Sequence, residues 1–198
     1  MRMKRITILT ILALTFPLGT CISQQYPLVS HQSGNSDCET GTFPQMTQLP
    51  ILKNTWQVVH ECDLPEPRDV ALAIVVFADE WAVTFGKSCE TLDALHDLMV
   101  EWSPAIRKIS GYYLNGQPYV NREVVGLALS PRWIWIKIQP GKNICSTSFV
   151  HELVHVAIWA IKETDGDPDH EGDKYPGWSP AHTEFVKRVN EALCQINL

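Results

Sequence analysis

Between Phe149 and Ile161 the chain reads FVHELVHVAIWAI, a run in which only His151, Glu152 and His155 are polar. Pro140-Gly141-Lys142-Asn143 is a turn, and Ser146, Thr147 and Ser148 are all candidate N-caps, so the sequence predicts a helix from near Thr147 to Lys162 or Glu163. A helix apolar around its whole circumference has to be covered on every side. The fold must therefore be built around this segment, and three polar side chains must be buried with it. Such groups are costly inside a protein unless they have partners.

Their spacing says what the partner is. At about 100° per residue, His155 lies about 40° around the helix from His151 and Glu152 about 100° around, so all three face one way. Two imidazoles one turn apart suit zinc, which takes neutral histidine nitrogens and in catalytic sites keeps a fourth position for water. The metal acidifies that water and an adjacent carboxylate accepts its proton. Glu152 thus reads as a general base and His151 and His155 as ligands. A chance H-E-x-x-H is expected on the order of once in a hundred chains of this size. The apolar flanks are what separate this match from chance.

A third ligand is expected from the segment ETDGDPDHEGDKYPGWSPAHTEF, whose Gly, Pro and Asp residues end the helix and turn the chain back. His170 and His182 are the only histidines beyond the motif. His170 is expected as the third ligand and His182 is the alternative, with Glu171, Glu184 and the loop aspartates as remaining candidates. Ser179-Pro180 reads as N-cap and first residue of a final helix, which puts His182 in its first turn. Asp165, Asp167 and Asp169 have the rhythm of a calcium loop, but an EF-hand begun at Asp165 needs Gly and Glu where the chain has His170 and Pro176.

With H-E-L-V-H followed by a short loop and a further His, the last third of the chain, Cys145 to Cys194, resembles the active-site half of the zincin metallopeptidases. The extended metzincin motif is absent. Compact SprT-like zincins are more similar: their third histidine opens the next helix with a Phe three residues later, as in His182-Thr183-Glu184-Phe185, while their usual ligand spacing corresponds to His155 and His170. The resemblance implies an α+β domain, a small sheet packed on the active-site helix, a C-terminal helix, and Zn2+ as cofactor. It also implies an edge strand before the helix on which extended peptide substrate lies. The candidate for that strand is Arg132 to Ile138, RWIWIKI, with Trp133, Trp135 and Lys137 on one face and isoleucines on the other. Glu123 to Leu129 is expected as its hairpin partner.

Arg2, Lys4 and Arg5 precede an uncharged apolar run from Ile6 to Leu18, the pattern of a secretory signal peptide. Leu18-Gly19-Thr20-Cys21 resembles the bacterial lipobox, so a lipid on Cys21 and ordinary cleavage nearby are both open. The expected location is outside the cytoplasm, at the bacterial cell envelope or secreted. The formal net charge is −6, and loss of residues 1–20, with three basic and no acidic residues, takes it to −9. An acidic chain without basic clusters is a poor nucleic-acid ligand. Cys38, Cys62, Cys89, Cys145 and Cys194 stay behind, enough for two disulfides in an oxidising compartment. Cys145 and Cys194 bracket the catalytic half and could staple it.

The organisation expected is a signal peptide over 1–20, a tether and lead-in over 21–66, and a metallopeptidase domain over 67–198. Within it, Asp69 to Phe85 reads as a helix ending at Gly86, Cys89 to Trp102 as a second helix, and Tyr112 to Tyr119 as a turn on Asn115-Gly116. Thr55 to His60 reads as an edge strand or ordered lead-in. The expected function is an exported, monomeric zinc metallopeptidase acting on peptide or protein substrates. The alternatives are a non-catalytic zinc-binding envelope lipoprotein and a cell-wall amidase.

Overall fold

A computed structural model describes residues 45–52, 54–59, 65–112, 115–139, 141–162 and 177–198. The signal peptide, Cys21, Cys38, Cys62 and the segment 163–176 that carries His170 and Glu171 lie outside the described residues. The architecture is α+β. Among the described residues, seven strands and four helices follow in the order β1 (Gln45–Gln48), β2 (Trp56–Val59), α1 (Pro67–Phe85), α2 (Cys89–Leu95), β3 (Met99–Ser103), β4 (Arg107–Tyr112), β5 (Pro118–Val124), β6 (Gly126–Ser130), β7 (Trp133–Lys137), α3 (Phe149–Lys162) and α4 (Pro180–Gln195).

Five strands form one sheet in the order β1-β2-β3-β7-β6, and β4 pairs with β5 as a separate hairpin. The inner pairs β2·β3 and β3·β7 are parallel, whereas β1 and β6 run antiparallel to their neighbours at the two ends. Period-two alternation sorts the side chains. Val100 and Trp102 of β3 pair with Ile134 and Ile136 of β7, and all four belong to the core. The same core takes in Phe149, Val150, Leu153, Val154, Val156, Ala157 and Ile158 of α3, so the helix is covered over its first ten residues, whereas Ile161 near its end is exposed. Helices α1 and α4 complete the cover through Phe77, Trp81, Phe85 and Phe185, whose rings lie 4.4 to 5.6 Å apart in tilted, stacked and edge-on pairs.

Helix boundaries follow local chemistry. Pro67 occupies the first turn of α1, and Gly86, at φ 88°, stops the helix in a conformation that side chains resist. Ser88 caps α2 by accepting from the Thr91 N–H at 3.0 Å. A disulfide joins Cys145 to Cys194, tying the entry of α3 to the last turn of α4.

Four expectations are corrected. Cys89 to Trp102 is not one helix: α2 ends at Leu95, and Met99–Ser103 is strand β3. Parallel pairing on both sides of β3 outweighs the helical spacing of Leu92, Leu95, Leu98 and Met99. Trp133–Lys137 is not the sheet edge but lies between β3 and β6, and Ile134, Trp135 and Ile136 are buried on both faces as an inner strand demands. Trp56–Val59 is likewise internal, between β1 and β3. The hairpin partner of β7 is β6 alone, because strand pairing is interrupted at Val125 and Pro118–Val124 pairs with β4 instead.

Candidate metal centre

Helix α3 brings His151 and His155 together. Their Nε2 atoms are 3.1 Å apart and their rings meet nearly edge-on, with centroids 4.8 Å apart. Two nitrogens bound to one tetrahedral zinc at about 2.0–2.1 Å each stand about 3.3 Å apart, so the pair has the separation that a shared cation requires. His155 is 3% exposed and His151 is half-buried.

Glu152 is 1% exposed and packs against β6. Burial pushes its pKa up to about 8, while a hydrogen bond from the Ala128 backbone N–H pulls it down. Its second oxygen, Oε2, is buried without a hydrogen-bond partner among the described residues. A buried carboxyl oxygen with no partner is expensive. A cation and water at the neighbouring imidazoles would supply one, and the positive charge would favour the carboxylate form.

Two further side chains shape the site. Trp178 is buried with its ring centroid 4.8 Å from His151 and 5.2 Å from His155, and its indole N–H is held by Thr183 Oγ1 at 3.0 Å. It forms a fixed apolar wall over both imidazoles. Ser148, one turn before Glu152, donates its hydroxyl to Val125 O at 2.9 Å, and the same carbonyl accepts from Lys137 N–H. This anchors the start of α3 where β5 gives way to β6.

His182 has another role in the fold. Its Nδ1 accepts the Ser179 backbone N–H at 3.0 Å, and the Ser179 hydroxyl lies 2.9 Å from the same nitrogen, so the ring closes the first turn of α4. An Nδ1 that accepts leaves the proton of a neutral ring on Nε2, the reverse of the tautomer a ligating Nε2 needs. The ring stacks on Phe85 at 4.7 Å and lies 5.7 Å from Trp81. Burial and the Lys162 charge lower its pKa to about 4. Among the described residues no cluster of three His, Cys, Asp or Glu side chains is assembled, and His170 falls outside them.

The structure thus brings His151 and His155 together, seats Glu152 of the same helix against Gly126 and Ala128 of β6, and gives His182 to a helix cap. Trp178, Ser148, Ala128 and Gly126 were not expected at the site. An isolated Gly in the apolar stretch EVVGLAL was the one available signal, since glycine inside a strand marks a bulge or a close approach. No family model, curated protein or solved structure matches this chain.

Proposed function

We propose that the protein is a zinc-dependent peptidase of zincin-like build, with His151 and His155 as metal ligands and Glu152 as general base. One observation carries this reading: a pair of imidazole nitrogens at 3.1 Å on the buried helix that also holds a carboxylate with an unpartnered oxygen. A histidine pair sharing a hydrogen bond would account for the distance, but not for the orphaned Glu152 oxygen beside it in the chain.

His170 is the third ligand in this account. Its segment leaves α3 at Lys162 and returns at Gly177, and the Lys162 ammonium donates to Gly177 O at 3.4 Å, closing the loop at its base. Trp178, the next residue, packs on both ligand rings. The chain therefore re-enters beside the ligand rings at Trp178, whereas the Nδ1 of His182 is committed to Ser179.

When bound, zinc acidifies water and polarises a carbonyl oxygen. Glu152 takes the proton from the attacking water and passes it to the leaving amine nitrogen. Ala128 N–H fixes the carboxylate on its other side, and Trp178 excludes bulk water from the ligand rings. Strand β6 lies at the end of the sheet, and the outer-edge groups left beside the Ala128 N–H, which Glu152 takes, are offered to an extended peptide that would add as a sixth strand.

The Cys145–Cys194 bond fits an oxidising compartment, in keeping with export and with a lipid on Cys21 or cleavage near it. Among the described residues no helix is long and apolar enough to cross a membrane. A monomer acting on peptide or protein, without nucleic acid, completes the reading.

The test is to purify wild type and Glu152→Gln, assay zinc, and offer both a broad peptide library and peptidoglycan. The proposal expects equal zinc content and peptide cleavage by the wild type, reduced at least a hundredfold in the variant. Zinc without cleavage of either substrate would make this a binding module. Digestion of peptidoglycan alone would make it an amidase.

A further inference from the structure

We infer that Gly126 is a positioning residue for Glu152, its missing side chain forming the notch in β6 that holds the carboxylate in place. The inference rests on the metallopeptidase reading above. A Cβ built at Gly126 would stand 2.4 Å from Glu152 Oε1, 2.9 Å from Glu152 Cδ and 2.2 Å from Ser148 Oγ. Real Cβ atoms do not approach so closely, and neither neighbour is a free end. Ser148 is bound to Val125 O, and Glu152 is held by Ala128 N–H.

Backbone conformation does not demand glycine here. Gly86, Gly116, Gly141 and Gly177 have positive φ, and Gly126 is not among them. Its requirement is for space. The pairing of Gly126 with Ile136 and of Ala128 with Ile134 puts both on the strand face that packs against α3, alternating with Leu127 on the other. Gly126 thus leaves the space, and Ala128, two residues on in the same strand, supplies the N–H.

The notch has a mechanical consequence. Oε1 lies where a Cβ at position 126 would stand, and Oε2 is buried without a hydrogen-bond partner among the described residues. Any side chain at position 126 would push the carboxylate off the Ala128 N–H and re-aim Oε2.

The experiment places Gly126→Ala and Glu152→Ala, singly and together, in a Ser148→Ala background, so that only the carboxylate is read. Thermal unfolding of the metal-free proteins is measured first. Gly126→Ala should lower the melting temperature by about 5–10 °C when Glu152 is present and by no more than about 2 °C when it is replaced by alanine. A Gly126→Ala protein that fails to fold with Glu152 intact, and folds once Glu152→Ala is added, carries the same meaning. Equal losses in both backgrounds, or no folding in either, would show that Gly126 only lets α3 approach the sheet, and would overturn the inference.

The second readout is cobalt(II) substitution, whose visible spectrum reports ligand geometry and the water near the ion. Gly126→Ala should bind cobalt one to one, as the wild type does, with its bands displaced in the direction seen for Glu152→Gln. A wild-type spectrum in Gly126→Ala overturns the positioning role alone. Absence of cobalt from the wild-type protein overturns the metallopeptidase reading and this role with it.

Discussion

The Ser179 backbone N–H donates to His182 Nδ1 at 3.0 Å, so a histidine that the sequence offers as a metal ligand serves as the reciprocal cap of α4. That bond fixes the ring's tautomer, and the stack on Phe85 fixes its plane. Both follow from its place three residues after an N-cap, where Glu or Gln commonly reaches back to the cap N–H.

His182 makes the fold sensitive to acid. Its pKa is about 4 in the folded protein against 6.5 for the free group, so folding favours the neutral ring. Above pH 6.5 neither state is protonated and nothing is lost. As pH falls below 6.5 the unfolded chain takes up a proton that the folded one refuses, and stability declines until about pH 4. The loss should reach about 2–3 kcal/mol. Denaturant unfolding of metal-free wild type and His182→Gln from pH 7 to 4 should show this excess loss in the wild type only.

The third ligand is open to a direct comparison. His170→Ala should weaken zinc binding by several kcal/mol, since one of three protein ligands is gone. His182→Gln should leave zinc affinity within about threefold of wild type, because Gln can accept the Ser179 N–H and no ligand is removed. Competition titration with a chelator measures both. A reversal of the two results would make His182 the ligand.

The Cys145–Cys194 bond closes a loop that contains His151, Glu152, His155, His170 and His182. By chain entropy a cross-link spanning 49 residues contributes about 4 kcal/mol. Replacing both cysteines by Ser should lower unfolding free energy by about 2–4 kcal/mol in denaturant titrations. Zinc affinity should fall with it, because an ion that binds only the folded segment must then offset the cost of ordering it.

Much of this was legible in the chain. The helix of Phe149–Lys162, the helix ending at Gly86, the Ser179-Pro180 start of α4 and the hairpin nature of β6 and β7 all follow from local signals. Strand order was not legible. Arg132 to Ile138 reads as an alternating strand, the resemblance to zincins implies an edge, and only the pairing of Trp133–Lys137 with both β3 and β6 makes it internal. Strand β3 was hidden because leucines at helical spacing run straight into Val100 and Trp102, whose alternation is too short to outweigh them. The site was legible where its residues share one helix. Trp178, Ala128 and Gly126 reach it through tertiary packing, which spacing along the chain cannot report.

Zinc binding by the histidine pair is the claim on which the rest stands, and calorimetric titration of the metal-free protein with zinc measures it most directly. Wild type should bind one zinc per chain, and His151→Ala and His155→Ala should each weaken binding at least a hundredfold while keeping a wild-type circular dichroism spectrum. A wild type that binds no zinc, or one whose affinity survives loss of either histidine, would contradict the account.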